Sequence, residues 1–174
     1  MTDQLPNTLY LLRHLKSSWD DPSLPDFDRP LAPRGRKAGR KIARYLRRQD
    51  ARPDIVICSP AVRTRQTLEA VRSVLGDPEV SFPDELYAAS EDTLLGAIRA
   101  VPSKTGSVLV IAHNPGLELL AMELAGGGDR EALERLGEKF PTGSVATLVF
   151  RGAWAELETG AATLVDYIVP RELD

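Results

Sequence analysis

The chain has 174 residues, 43% of them hydrophobic and 27% charged, the balance of a globular domain far from the disordered regime. That length suits one domain able to bury enough apolar surface without a metal or disulfide staple, and the single cysteine, Cys58, excludes an internal disulfide and fits a reducing compartment. A net charge of −3 argues against nucleic-acid binding through the overall field, and apolar stretches such as Val108 to Ala112 are too short for a transmembrane helix.

Met1 to Asn7 carries neither a basic start nor an apolar run, so no signal peptide is expected and the cytoplasm is the expected location. Thr8 to Leu12 is an apolar run that stops at Arg13-His14 and predicts a buried strand. Residues 17–33 hold four prolines and several aspartates, the composition of a loop. A helix is predicted from about Pro33 to Asp50, with proline in its first turn and Ala38, Ile42 and Leu46 as an apolar stripe. Asp54 to Cys58 predicts a second buried strand, stopped by Ser59-Pro60, with a helix following to about Leu75. A short strand is expected within Ser81 to Tyr87, and a helix over Glu91 to Val101. Ser107 to Ala112 is the clearest strand, followed by His113-Asn114-Pro115-Gly116 and a helix to about Ala125. Gly126-Gly127-Gly128 reads as a flexible connection. A helix around Glu131 to Leu136 comes next, then strands near Ser144 to Phe150 and Thr163 to Ile168. Wholly apolar strands alternating with helices predict a three-layer α/β/α sandwich around a mostly parallel central sheet, one domain over residues 1–174.

Open α/β sheets bind ligands at the carboxyl ends of their strands. Three predicted strands end there in polar residues. The first ends in Arg13 and His14, the second in Ser59 with Arg63 one helical turn on, and the third in His113 and Asn114. Both histidines of the chain fall at this edge. Two guanidiniums and two imidazoles suit a phosphoryl group, because guanidinium forks bind its oxygens through paired, charge-assisted hydrogen bonds. A neutral imidazole can attack phosphorus at neutral pH without an external base. The helix opening near Pro60 offers further backbone amides.

The segment Leu11-Leu-Arg-His-Leu-Lys-Ser-Ser-Trp19 resembles the Arg-His signature of the histidine phosphatase superfamily, the phosphoglycerate mutase-like proteins. In detail it is similar to the SixA-type branch of phosphohistidine phosphatases. Asp28 to Gly35, Ser59 to Thr67 and Ala112 to Gly116 resemble three further blocks in the family's order, and the likeness spans nearly the whole chain. It implies a phosphoglycerate mutase-like fold, His14 as the phosphorylated nucleophile, and Arg13, Arg63 and His113 as the phosphoryl-binding groups. It also implies no metal and no organic cofactor. Phosphohistidine on a protein is the substrate it favours, with small phosphate esters behind. Two positions depart from the pattern. Leu15 stands where Gly or Ala is usual, and its side chain either narrows the pocket or faces the core. Many members protonate the leaving group with an acid in the segment matching Pro83 to Tyr87. Glu85 is the nearest candidate here, with a solvated surface carboxylate as its plain alternative. Phosphohistidine releases imidazole, which leaves more easily than an alkoxide, so a site without this acid favours phosphoramidates.

Other readings compete. A non-catalytic phosphate-binding module of the same fold is the alternative to an enzyme, with Leu15 obstructing attack. A phosphoglycerate mutase needs extra length to enclose its diphosphorylated cofactor. Arg65 is expected to serve structure at the pocket rim, and Asp28 to brace the Arg-rich loop. The run Arg34, Arg36, Lys37, Arg40, Lys41, Arg44, Arg47 and Arg48 reads as a solvated helix face, or else as an attractor of acidic or phosphorylated partners. Only Tyr45 interleaves with it, which disfavours nucleic acid. Cys58 and Arg63 stand one residue too close for a Cys-x5-Arg phosphatase loop, and two histidines with one cysteine argue against a transition-metal cluster.

Overall fold

Apolar runs without alternation predict strands covered on both faces, and three of the first four strands form in that way. The computed structural model describes residues 4–174, with β1 at Asn7–Arg13, β2 at Ile55–Cys58, β3 at Glu79–Ser81 and β4 at Ser107–Ala112. They lie parallel in the order β3-β2-β4-β1. Helices α1 (Pro33–Arg48), α2 (Val62–Val71), α3 (Glu91–Arg99), α4 (Gly116–Leu124) and α5 (Arg130–Glu138) cover the sheet. Successive strand residues point to opposite faces. Leu109 and Ile111 of β4 therefore join Ile42, Leu46 and Leu68 of α1 and α2 in one core. Val108 and Val110 join Leu94 and Ile98 of α3 and Leu117 and Leu120 of α4 in the other. Three layers result.

The sheet itself is mixed, where the pattern predicts a mostly parallel one. Strand β6 (Val145–Phe150) runs antiparallel to β1 on one side and to β7 (Ala162–Ile168) on the other. The 151–161 connection is too short for the crossover that a parallel pair needs. Strand β7 also alternates buried and exposed residues at its start, the mark of a strand with one wet face.

Gly126-Gly127-Gly128 is not a flexible connection but most of β5 (Ala125–Gly128), paired in parallel with β7. A Cβ on Gly126 would lie 2.0 Å from the Gly160 carbonyl oxygen, and one on Gly128 2.1 Å from that of Leu164. These glycines permit close backbone approach. The strand expected within Ser81 to Tyr87 is displaced to β3. Beyond it Pro83, which has no N–H for a ladder, leads into a 3-10 turn at Asp84–Leu86. No helix among the described residues is long and apolar enough to cross a membrane.

Backbone hydrogen bonds carry the parallel ladders one residue past the strand ends. His14 N–H donates to Ala112 O at 3.1 Å and Ser59 N–H to Ile111 O at 2.9 Å. The loop after His14 closes on itself, with Ser17 bridged to Leu31 and Ala32 N–H donating to Lys16 O at 2.9 Å. Gly35, in the first turn of α1, lies under this loop, and a Cβ there would sit 2.2 Å from Lys16 O. Backbone cannot yield as a flexible side chain does. Gly35→Ala is therefore expected to cost about 2 kcal/mol and to lower the thermal unfolding midpoint by ~5 °C. An unchanged midpoint would show that α1 shifts freely against the loop.

Candidate active site

Strand register brings the four expected side chains to one edge. Arg13 is the last residue of β1, His14 and His113 directly follow β1 and β4, and Arg63 stands in the first turn of α2, just beyond β2. The two imidazole centroids are 5.3 Å apart with their planes tilted by 51°. His14, Arg63 and His113 are each 6% exposed, and Arg13 is half-buried.

Hydrogen bonding distinguishes the two nitrogens of each ring. Nδ1 of His14 lies 2.8 Å from the Leu15 carbonyl oxygen. A carbonyl only accepts, so Nδ1 carries the proton and Nε2 keeps its lone pair. Burial, reinforced by the charges of Arg63, Arg13 and Arg29, lowers the His14 pKa from 6.5 to about 4 against the opposing pull of that hydrogen bond. The ring is neutral at neutral pH. Nε2 of His113 lies 2.7 Å from the buried Ser59 hydroxyl, which Ala61 N–H approaches at 3.5 Å. In the tautomer that places the ring's hydrogen on Nδ1, the hydroxyl accepts from Ala61 N–H and donates to Nε2 of His113. Burial first, then His14 and Arg63, lower the His113 pKa to about 3.

Three nitrogens at this edge are buried without a hydrogen-bond partner among the described residues: Nε of Arg13, Nε of Arg63 and Nδ1 of His113. Folded proteins leave few such groups, since each costs the hydration it has lost. A cluster of them beside two imidazoles suits a ligand rich in oxygen acceptors. Arg13 is held from behind, its Nη1 donating to Phe140 O at 2.9 Å. The same carbonyl accepts from Asn114 Nδ2 at 2.9 Å.

The loop over the site is braced by Asp26, where the sequence points to Asp28. Arg63 donates from Nη1 to Asp26 O at 2.7 Å and from Nη2 to its carboxylate at 3.0 Å. Arg29 reaches the other carboxylate oxygen at 3.1 Å, and the Tyr87 hydroxyl donates to Oδ2 at 2.6 Å. The Tyr87 hydrogen bond, followed by Arg63 and Arg29, holds the Asp26 carboxyl down at about 2. Tyr87 also stands edge-on to His113, its ring centroid 5.7 Å away. Neither Asp26 nor Tyr87 stands out in the sequence. Both aspartates lie on one 3-10 turn (Asp26–Asp28), and no spacing rule says which faces inward.

Leu15 faces the core. It is fully buried beside Ile42 and Leu68, and its N–H donates to Thr67 Oγ1 at 3.0 Å. Glu85 is exposed and lines a separate cavity with Ile55, Pro83 and Val101. Arg65 serves structure, although at the entry to α2: Nε donates to Pro60 O at 2.9 Å and the guanidinium lies 4.5 Å from the Phe82 ring centre. Burial pushes the Cys58 thiol up to about 12, which makes it a poor nucleophile.

The sequence profile of the histidine phosphatase superfamily (branch 1) matches residues 9–90. An uncharacterized protein of Mycobacterium tuberculosis is 39% identical over 162 residues, 92% of this chain and 100% of that protein. The phosphohistidine phosphatase SixA of Escherichia coli is 33% identical over 122 residues, 68% of this chain and 74% of that protein. Among solved structures, the SixA-type protein of Nakamurella multipartitia superposes with a TM-score of 0.82 at 33% identity, covering 96% of this chain and 98% of its own. The protein histidine phosphatase SixA complexed with tungstate superposes with a TM-score of 0.76 at 26% identity, covering 95% and 98%. Likeness of this extent in both sequence and fold is that of common descent, and this chain belongs to the histidine phosphatase superfamily, in its SixA-type branch.

Proposed function

We propose that this histidine phosphatase removes the phosphoryl group from phosphohistidine on a protein, through a covalent intermediate on Nε2 of His14. One observation carries the reading: the nearly buried His14 ring, its Nδ1 engaged by a carbonyl, shares one sheet edge with three buried nitrogens that lack acceptors among the described residues. In the first step Nε2 bonds to phosphorus and the bond to the leaving group breaks. Arg13, Arg63 and Nδ1–H of His113 hold the equatorial oxygens, where stabilising charge matters most. In the second step water attacks the phosphohistidine, inorganic phosphate leaves, and the imidazole returns neutral. Two guanidiniums supply the positive charge that metal ions supply in other phosphatases, so the proposed reaction needs neither metal nor organic cofactor. The tungstate held by the SixA relative is a phosphate-like oxyanion, in keeping with this chemistry.

The substrate class follows from the placement of acids. The Asp26 carboxyl is held down at about 2 and so is ionised at neutral pH, and Glu85 lines a separate cavity. Neither offers a proton to a leaving group at the histidines, which handicaps phosphate esters more than phosphoramidates. Small esters are then secondary substrates. A non-catalytic binding module depends on Leu15 blocking attack, and Leu15 points into the core. The buried lone thiol of Cys58 fits a reducing compartment, and the cytoplasm is the proposed location.

Brief incubation with a labelled phosphodonor, followed by mass spectrometry, tests the intermediate. The expected adduct sits on His14 and is stable in alkali and lost in acid. Steady-state comparison of a phosphohistidine peptide with p-nitrophenyl phosphate then tests the substrate. An adduct on another residue, or faster turnover of the ester, would sink the respective half of the proposal.

The imidazoles also set the pH dependence. Because the folded pKa values of His14 and His113 are about 4 and about 3, against 6.5 ordinarily, the unfolded chain binds more protons between them. Their contribution to stability is therefore complete above 6.5, falls as pH drops through that window, and levels off below about 3. With substrate ionisation divided out, the acid limb of kcat/KM is expected near 4, the His14 value. A limb centred on 6.5, the ordinary histidine value, would mean that His14 is not shielded as described.

A further inference from the structure

A second concentration of positive charge adjoins the catalytic pocket, and the proposed reaction does not use it. Towards the end of α1 the basic face is occupied: Lys41 Nζ donates to Leu173 O at 2.8 Å and Arg44 Nη2 to Asp174 O at 3.0 Å. At its start, Arg34 joins Lys16, Lys139 and Arg171 around a cavity of about 240 Å³. A neighbouring cavity of about 300 Å³ continues from Arg34 and Arg171 to Lys37 and Lys41. Among the described residues, no carboxylate lines either cavity. Among the described residues, Lys16, Arg34, Lys37, Lys139 and Arg171 form no ion pair. Lys139 and Arg171 also border a cavity of only about 20 Å³ together with Glu138 and Glu172, and Glu172 is paired with Arg135.

The groove and the catalytic residues are linked through the backbone. Lys16 lies two residues past His14 on the same segment. The opposite wall, Pro141 and Thr142, directly follows Phe140, whose carbonyl holds Arg13 at 2.9 Å. Gly143 N–H then donates to the carbonyls of Arg13 and His14 at 3.1 and 3.0 Å. A molecule seated in the groove therefore rests on the same two segments, 14–16 and 140–143, that carry His14 and hold Arg13.

We propose that this groove docks an acidic face of the phosphorylated protein substrate; the inference rests on the protein-phosphohistidine reading above. The disposition of the cations favours a protein surface over a small polyphosphate. A small-anion site encloses its ligand with buried, converging donors, as Arg63 at 6% exposure does in the catalytic pocket. Here Lys16, Arg34, Lys37, Lys139 and Arg171 are all exposed, stand on four separate segments and extend across two cavities. Ala38, Pro141 and Pro170 place apolar surface between them. Such charges are weak singly, but together they steer an acidic partner into register and lose their effect as salt rises. On a chain whose net charge is −3, this local excess also orients the approach.

The test uses the whole protein and the double variant Lys139→Glu/Arg171→Glu, which leaves the catalytic groups in place. Two phosphohistidine peptides are compared, one flanked by glutamates and the other by glutamines. At low salt the unaltered protein is expected to show about tenfold lower KM for the glutamate peptide at equal kcat. That preference should vanish in the variant and at high salt, while p-nitrophenyl phosphate turnover is unchanged. Anisotropy of a labelled, unphosphorylated glutamate peptide reads docking without chemistry. Binding that the variant loses, with no phosphohistidine hydrolysis, would uphold the groove and overturn the substrate reading. Equal KM for both peptides together with equal binding by both proteins would overturn the groove. Tripolyphosphate binding that the variant loses, without any peptide preference, would assign the groove to a small polyanion and likewise overturn the docking proposal.

Discussion

His14→Ala is expected to reduce turnover of both p-nitrophenyl phosphate and a phosphohistidine peptide by about 10⁴-fold or more, to the background of the assay. Among the described residues, neither His113 nor Cys58 is placed to take over. The second imidazole, on His113, has Nε2 committed to Ser59 at 2.7 Å, and the Cys58 thiol is buried with its pKa pushed up to about 12. The fold should survive, because the side chain makes one hydrogen bond, to the Leu15 carbonyl, and such a bond is worth about 1 kcal/mol net. Phosphate binding should survive too, since the proposed phosphoryl-binding groups remain. Retained binding with lost turnover is the signature of a nucleophile. Turnover within tenfold of the unaltered protein would remove His14 from the mechanism.

Arg63→Ala has the second largest expected effect, a fall in kcat/KM of about 10³-fold, the scale seen when one preorganised donor to a developing oxyanion is removed. The guanidinium has two tasks in this fold. Its Nη1 and Nη2 hold Asp26 at 2.7 and 3.0 Å, while its buried Nε lacks an acceptor among the described residues. Lysine brings the charge but not the planar fork, so Arg63→Lys should recover little. Asp26→Ala separates the tasks. It releases the loop yet leaves the guanidinium in place, and an effect of about tenfold or less is expected. If Asp26→Ala were as damaging as Arg63→Ala, Arg63 would matter for holding the loop and not for the phosphoryl group.

Which features were legible in the chain follows from how each signal arises. β4 was readable to the residue because a strand covered on both faces has no polar position until it ends. For the same reason His14, Ser59 and His113 stood out, as polar residues where apolar runs stop. The direction of β6 was not readable. An apolar hexamer looks the same run either way, and only the short 151–161 connection constrains it. Glycine misled at Gly126 to Gly128, since the residue that loosens a loop also lets two backbones meet at 2.0 Å from a would-be Cβ. Leu15 could be narrowed to two orientations, and the space against Thr67 and Gly39 selected the inward one.

The amino-acid sequence by itself determined the layering, the helices that cover the sheet, and the meeting of two histidines with two arginines at one edge. Each of these rests on local periodicity or on where a hydrophobic run ends, and such information is complete within a few neighbouring residues. Only the tertiary structure decided which nitrogen of each imidazole has a protein partner, that Asp26 and Tyr87 close over Arg63, and that Lys16, Arg34, Lys139 and Arg171 border one groove. Those outcomes depend on partners tens of residues away, whose distances and desolvation exist only once the layers have packed.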